Sequence, residues 1–351
     1  MMLAAGSQET NRMKTGKRIR QLLTGLGLTY LAVAAWNGRL YRRTRRLEFG
    51  PPLEGDVGAF DWPAGRIYYT RRGRGEPVLL VHGIYAGADS YQFRKVFAPL
   101  AERCEVYACD LLGFGHSARP DVRYSGALYA RLIADLTRIV IGRPTTVIAT
   151  SLSGGHAILA ADQERQMIRR LVLVAPTGST TPGVYPGSVA RAAYLALTLF
   201  PDFGEGARNL IATRRFIRYY LRRMAYYDPR NVSEEMVEHA YRSAHQPGAE
   251  HALIAFLTGH LNVPIGDALR SMPQPLSLFW GRHARVTPLE EAECYLTVRP
   301  DARLHVLERA GLDAVNEQPD EFVSGVFDIL EGREAGVAGE QAMAEAVGAR
   351  A

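Results

Sequence analysis

From residue 66 onward the chain alternates short apolar runs with helical stretches, and this alternation constrains its fold more than any other feature. Runs such as Val78-Leu79-Leu80-Val81, Thr146-Val147-Ile148-Ala149 and Leu171-Val172-Leu173-Val174 are too short for helices and lack a polar face. Strands buried on both faces read this way, as in a parallel sheet sandwiched by helices. Strands are expected at 66–70, 78–81, 105–110, 146–149, 171–174, 277–280 and 303–306, with helices at 91–102, 126–141, 154–163, 289–296 and 320–330. The fold class is α/β, a doubly wound and mostly parallel sheet.

The rhythm breaks once. Between Thr177 and Met272 about ninety-five residues hold helical pattern and no clear strand, too many for a structureless loop inside a compact domain. The chain therefore divides into an arm (1–50), a core (51–177 and 272–331), an inserted helical lid (178–271) and a flexible tail (332–351) rich in Ala, Gly and Glu. Within the lid, Arg214, Arg218 and Arg222 form one i, i+4 stripe and Phe216, Tyr220 and Met224 another. The two stripes predict an amphipathic helix over Thr213–Tyr227. Its arginines read as a solvated face, with an acidic ligand or a membrane as the sharper alternatives.

The 351-residue chain has a formal net charge of +6, which raises nucleic-acid binding as a function. The location of the charge argues against it. Residues 1–50 hold ten Lys and Arg against Glu9 and Glu48, a local +8, and the other 32 basic and 34 acidic side chains leave the body nearly neutral. A general phosphate-binding surface needs the opposite distribution. The basicity brackets a fifteen-residue apolar run, Leu22–Trp36, with Lys14, Lys17, Arg18 and Arg20 before it and Arg39, Arg42, Arg43, Arg45 and Arg46 after it. That run falls short of the about 20 residues a bilayer span needs.

Arginines on both sides suit a helix lying in an anionic interface, on the cytoplasmic face of a membrane. Two alternatives stand beside it: an export signal, with Ala32-Val33-Ala34 as its small-x-small site, and a helix packed on the body. Phe49–Pro63, rich in Gly and Pro, reads as a linker. Cys104, Cys109 and Cys294 have neither metal-ligand nor disulfide-framework spacing and read as small buried hydrophobes, the first two on opposite faces of one strand. No metal or cofactor is implied.

Chemistry enters at Thr146–Gly155, where an apolar strand runs into the small-residue turn Thr150-Ser151-Leu152-Ser153-Gly154 and then a helix. This resembles the nucleophile elbow of the α/β-hydrolase family, Gly-x-Ser-x-Gly, with Ala149 and Ser153 at the glycine positions. A rival register takes Ser153 as nucleophile, flanked by Ser151 and Gly155; the phase of strand, turn and helix favours Ser151. Two further segments are similar to family landmarks: Val78-Leu79-Leu80-Val81-His82-Gly83-Ile84, and Asp110-Leu111-Leu112-Gly113-Phe114-Gly115-His116-Ser117. Together, over residues 66–331, they identify the chain as a member of the α/β-hydrolase fold, lipase- or esterase-like, with the inserted lid. The resemblance implies an oxyanion hole from the backbone N–H groups of Ile84 and Leu152, and structural roles for His82 and His116.

The second half departs from the pattern. The family's Trp-Gly-x-x-Asp-x-x-x-Pro reads here Trp280-Gly281-Arg282-His283-Ala284-Arg285-Val286-Thr287-Pro288, which puts Ala284 at the acid position. Its Gly-His before Glu-x-Pro reads Gly311-Leu312, with Glu317-Gln318-Pro319 following, which puts Leu312 at the histidine position. Neither can do the work of the residue it replaces. His283 and Asp313 adjoin the two vacated positions with their roles swapped, and His156, His245, His251 and His260 read as surface or supporting histidines. A serine hydroxyl needs an adjacent base, and losing the triad histidine costs on the order of 10⁶ in kcat.

The expectation is a weakly active or inactive hydrolase homologue binding a small acyl-like or apolar ligand. Alternatives are an active serine ester hydrolase with a rewired proton relay, and a membrane-associated structural or interaction protein. The membrane surface is the expected partner of the arm, nucleic acid is not a partner, and a protein partner is not legible.

Overall fold

The computed structural model describes residues 3–44, 47, 49–178, 186–333 and 337–338, with side chains given from Lys17 onward except at a few positions. Arg45 and Arg46 and most of the tail lie outside the described residues. Nine strands form one sheet: β1 (Asp56–Trp62), β2 (Gly65–Arg72), β3 (Glu76–Val81), β4 (Cys104–Cys109), β5 (Thr145–Thr150), β6 (Ile168–Val174), β7 (Leu276–Gly281), β8 (Arg303–Leu307) and β9 (Val337–Ala338). Their order is β1-β2-β4-β3-β5-β6-β7-β8-β9. The run from β4 to β8 is parallel, while β1, β2 and β9 pair antiparallel at the edges.

The apolar runs sit where both faces are covered. On β3, Leu79 and Val81 join one buried cluster while Val78 and Leu80 join the cluster on the other face. That is the period-two alternation of a strand in a two-sided core. Cys104 and Cys109 fall into opposite clusters as their odd spacing requires.

The helices follow in chain order: α1 (Leu3–Thr44), α2 (Phe97–Ala101), α3 (Gly126–Asp135), α4 (Ser153–Gln163), α5 (Ser188–Leu199), α6 (Pro201–Ile211), α7 (Arg214–Tyr220), α8 (Glu234–Ala244), α9 (Ala249–Leu257), α10 (Gly266–Ser271), α11 (Ala292–Val298), α12 (Ala314–Glu317) and α13 (Pro319–Leu330). Helices α5 to α10 occupy the interval between β6 and β7, and no strand falls there among the described residues.

Four sequence expectations are corrected or refined. The stretch taken as a linker, 49–63, contains β1, which pairs with β2 along its whole length; its gapped apolar pattern suits an edge strand with little burial. Cys294 is exposed rather than buried. The arginine stripe is not a free solvated face: Arg214 holds Glu238 at 2.6 Å, Arg218 holds Glu234 at 2.5 Å and Arg222 reaches Glu234 at 3.4 Å. Glutamates on α8, far in sequence, answer it. The expected helix Thr213–Tyr227 is α7 followed by a π turn at Leu221–Ala225.

The apolar run Leu22–Trp36 lies inside α1, which at 42 residues is about 63 Å long. No described helix is long and apolar enough to cross a membrane. The C-terminal half of α1 packs on α6: Tyr30 meets Phe203 edge-on at 5.3 Å, and Asn37, 1% exposed, donates to the Asp202 carbonyl at 2.7 Å. Asn209 donates to Asn37 Oδ1 at 2.9 Å, and Arg208 continues the network to Glu205. A buried polar node of this kind fixes the register of two helices, and unpairing it costs about 1–3 kcal/mol. Asn37→Ala should therefore loosen α1 from α6 and leave the sheet intact. Hydrogen exchange should speed up across residues 30–44 and stay unchanged in β3 and β5; equal protection of 30–44 in both proteins would contradict the assignment.

Candidate functional site

β5 lies between β3 and β6, so the loops leaving the C-terminal ends of these strands converge above its last residue. Ser151 sits there, between β5 and α4, with φ of +51°. A non-glycine residue in that region is strained, and here three backbone bonds hold it. Its N–H donates to the Val174 carbonyl at 2.9 Å, and its own carbonyl accepts from Gly154 at 2.9 Å and Thr177 at 3.0 Å. The turn is tight at Gly154, where a Cβ would lie 2.6 Å from the Pro176 side chain. The neighbouring hydroxyl is already engaged: Ser153, fully buried, donates to the His82 carbonyl at 2.6 Å. Ser151 is the half-buried serine at the turn, and of the two it is the one that lines a cavity.

The amides expected to form an oxyanion hole stand ready. Ile84 and Leu152 are each 5% exposed, and among the described residues neither N–H donates a hydrogen bond. Ile84 lines the same cavity as Ser151, whereas Leu152, at the N-terminus of α4, is not on its wall. Ser151, Ile84, Thr150 and Gly83 line a cavity of about 30 Å³, closed by Tyr85, Tyr220, Leu221, Ala225, Leu312, Asp313 and Gln92. That volume holds one or two waters. Tyr85 and Tyr220 stack over it with ring centroids 5.9 Å apart, and burial pushes the Tyr220 hydroxyl up to about 12.

The structure brings Leu312 to this cavity and leaves Ala284 off its wall. Ala284 is buried after β7 with its N–H on the Gly281 carbonyl at 3.1 Å. Among the described residues no histidine lines the cavity. His82 accepts from the Leu111 N–H through Nε2 at 3.0 Å and so donates from Nδ1 to the Gly83 carbonyl, a structural tautomer. His116 bonds the Phe49 carbonyl and lies near Asp110. His156 and His245 bond the carbonyls of Leu261 and Tyr241. His251 faces Asp121, His260 faces Thr258, and His283 stacks on Tyr227 at 4.3 Å. The swapped pair His283–Asp313 does not form.

Asp313 instead anchors a network that sequence reasoning missed. Its carboxylate accepts from the Tyr226 hydroxyl at 2.6 Å, from Asn316 at 2.8 Å and from Gln92 at 3.3 Å. Gln92 Oε1 in turn accepts from the Gly83 N–H and the Thr150 hydroxyl at 2.8 and 2.9 Å, which ties the loop after β3 to the end of β5. Arg94 donates to Tyr226 at 3.3 Å. The π turn helps place Tyr226, because the Tyr226 N–H returns to Leu221 while the Ala225 carbonyl is left to accept from Asp313. Gln92 carries no motif, and Tyr226 reaches the site only through a tertiary contact; neither had a signal in the sequence.

Burial holds His156 and His245 down to about 4, each below the ordinary 6.5. Below pH 6.5 the unfolded chain takes up protons that these folded sites refuse. Stability should therefore be fully present above about 6.5 and fall as pH drops toward about 4, by about 1.4 kcal/mol per pH unit per histidine. Urea midpoints measured between pH 7 and 5, above the range of most carboxylates, should decline steadily; a flat profile would show that neither histidine is buried neutral.

Comparison with known proteins agrees with this architecture. A family model described as the alpha/beta hydrolase family matches residues 78–324. The chain is 24% identical over 276 residues to 2-hydroxy-6-oxo-6-(2'-aminophenyl)hexa-2,4-dienoic acid hydrolase of Metapseudomonas resinovorans, covering 76% of this chain and 87% of the relative. Among solved structures, a serine hydrolase involved in carbazole degradation superposes with a TM-score of 0.65 at 20% identity, over 79% of this chain and 99% of its own. A membrane phospholipase A, described as a bacterial virulence factor, superposes with a TM-score of 0.62 at 24% identity, over 89% of this chain and 98% of its own. With the sheet order, the strained serine turn and the match over residues 78–324 in agreement, the chain belongs to the alpha/beta hydrolase family.

Proposed function

We propose that this protein is a hydrolase homologue that holds a small acyl-like ligand and turns it over weakly or not at all. The observation that carries the reading is the pairing of Ser151 with Leu312 on one cavity wall, without a histidine, while the Ile84 and Leu152 amides stand unused. A carbonyl or carboxylate oxygen would accept from those amides and its small apolar substituent would lie against Tyr85, Tyr220 and Leu312. The cavity is far smaller than the about 300–1,000 Å³ of typical small-molecule sites, so a larger ligand requires Tyr220 on α7 to move.

The rival reading, an active serine ester hydrolase with a rewired relay, has Asp313 as its base, since that carboxylate lines the same cavity. Its carboxylate already accepts from Tyr226, Asn316 and Gln92, and no hydrogen bond joins it to Ser151 among the described residues. Hydrolysis of short p-nitrophenyl esters should thus run near background and be insensitive to Ser151→Ala. A clear rate that disappears in Ser151→Ala would establish the rewired enzyme instead. Leu312→His and Ala284→Asp introduced together should restore fluorophosphonate labelling of Ser151, on the order of tenfold or more above either single variant. A folded double variant that never labels would contradict the placement of the site.

The arm supports a membrane surface as partner. On the surface of α1 that α6 leaves uncovered, Leu23, Leu26, Leu28 and Leu31 are 61–64% exposed, with exposed Lys17, Arg18 and Arg20 preceding them. An apolar stripe bordered by cations suits an anionic bilayer surface. Full-length protein should sediment with phosphatidylglycerol-containing vesicles, and Leu26→Glu with Leu31→Glu should weaken binding roughly tenfold. Protein that remains in the supernatant would refute it.

A further inference from the structure

A second cavity, with no residue in common with the Ser151 site, opens between the start of α3, α5 and the turn after α9; its volume is about 520 Å³. Arg123, Arg191, His260, Asn262 and Ser125 bring its polar groups, over an apolar floor that includes Leu159 and Val263. No carboxylate is among its described lining residues.

The arginines set this cavity apart. Several arginines elsewhere in this chain are paired closely: Arg214 with Glu238, Arg282 with Glu308, Arg299 with Asp301. Arg123 has no ion pair or hydrogen bond among the described residues, and Arg191 donates only to the Pro186 carbonyl at 2.9 Å. The carboxylate nearest in sequence, Asp121, faces His251 on α9 at 3.7 Å. His260 completes the group. It contacts the Tyr194 ring of α5 at 4.2 Å and the Thr258 hydroxyl at 2.9 Å, and burial together with the charges of Arg123 and Arg191 holds it below its ordinary value. Among the described residues the Asn262 side-chain amide has no hydrogen-bond partner either.

Two guanidinium groups that face one concavity repel each other and disfavour the charged form of His260 unless an anion lies between them. Arginine's planar fork fits the oxygens of a phosphate, and each contact is a charge-assisted hydrogen bond. A phosphate would also favour the imidazolium, which adds a third donor. We infer that this cavity binds a phosphate group, carried on a small molecule or on the headgroup of a lipid. The headgroup is the source that α5 suits, because Arg191 shares that helix with exposed Val189, Leu195 and Leu199. The inference stands apart from the hydrolase reading, since neither Ser151 nor its cavity takes part.

The test is calorimetric titration of the full-length protein with two probes, inorganic phosphate and dihexanoyl phosphatidic acid below its micelle concentration, while NMR follows the His260 ring signals. At least one probe should bind saturably with Kd below about 1 mM, shift the His260 signals and raise its pKa by opposing the arginine charges. Phosphatidic acid tenfold tighter than phosphate assigns a lipid headgroup; equal affinities assign a free phosphate ligand. Arg123→Gln with Arg191→Gln, both exposed and so neutral for folding, should weaken binding at least tenfold while leaving the amide spectrum of the core unchanged. The inference is overturned if neither probe binds, if binding leaves the His260 signals unmoved, or if the double variant binds as well as the natural protein. Ser151→Ala should bind the probes normally, which separates failure here from failure of the hydrolase reading.

Discussion

The strained turn at Ser151 is the constraint on which the rest of the site depends. A positive φ at a serine costs about 1–3 kcal/mol and persists only because the surroundings leave it no alternative. The Val174, Gly154 and Thr177 bonds clamp the residue from both sides. Pro176 leaves no room for a side chain at position 154, and the Ser153 hydroxyl fastens the start of α4 to the loop after β3 through the His82 carbonyl. Because that loop is fixed against the elbow, Ile84 and Ser151 come to line one cavity. Sheet order, turn and free amides are consequences of one another.

The side-chain half of the site is independent of that scaffold. Leu312 sits partly buried against the larger core cluster and Ala284 is buried within it, so both are tolerated, even favoured, by packing. Order in the loop that carries Leu312 comes from elsewhere. Glu317 accepts from the N–H groups of Gly311, Tyr227 and Asp228, and Asp313 binds Tyr226, Asn316 and Gln92. A loop held this way does not need a histidine–acid pair to keep its shape. The backbone features are different: they come with the architecture and would be present with or without turnover.

What was legible in the sequence follows the same division. The buried strands were readable because continuous apolar runs such as Val78–Val81 have one structural interpretation, and the Ser151 turn because a small-residue stretch between strand and helix has few. β1 was missed because an edge strand buries little: Phe60 packs while Val57 stays exposed, so periodicity carried almost no signal and Gly and Pro near it suggested a linker. The glutamates that answer Arg214 and Arg218 lie on α8, sixteen to twenty-four residues away, beyond any local stripe. Gln92 and Tyr226 act only through contacts made by the folded chain. Position in the fold gives such residues their role, and their spacing gives none.

The arm and the site are connected by a continuous run of structure. Along α1, Leu23, Leu26, Tyr30, Val33 and Asn37 recur at intervals of three and four, one stripe of a helix. The upper part of that stripe is covered: Val33 lies against Gly206, and Asn37 binds Asn209 and Asp202 on α6. The lower part is bare at Leu23 and Leu26. α6 leads through a two-residue break into α7, whose last residue, Tyr220, stacks on Tyr85 above Ser151. The buried polar node at Asn37 makes the joint between α1 and α6 specific in register, and close packing transmits displacement rather than absorbing it. The chain thus runs from the Asn37 node through α6 and α7 to Tyr220 on the cavity wall.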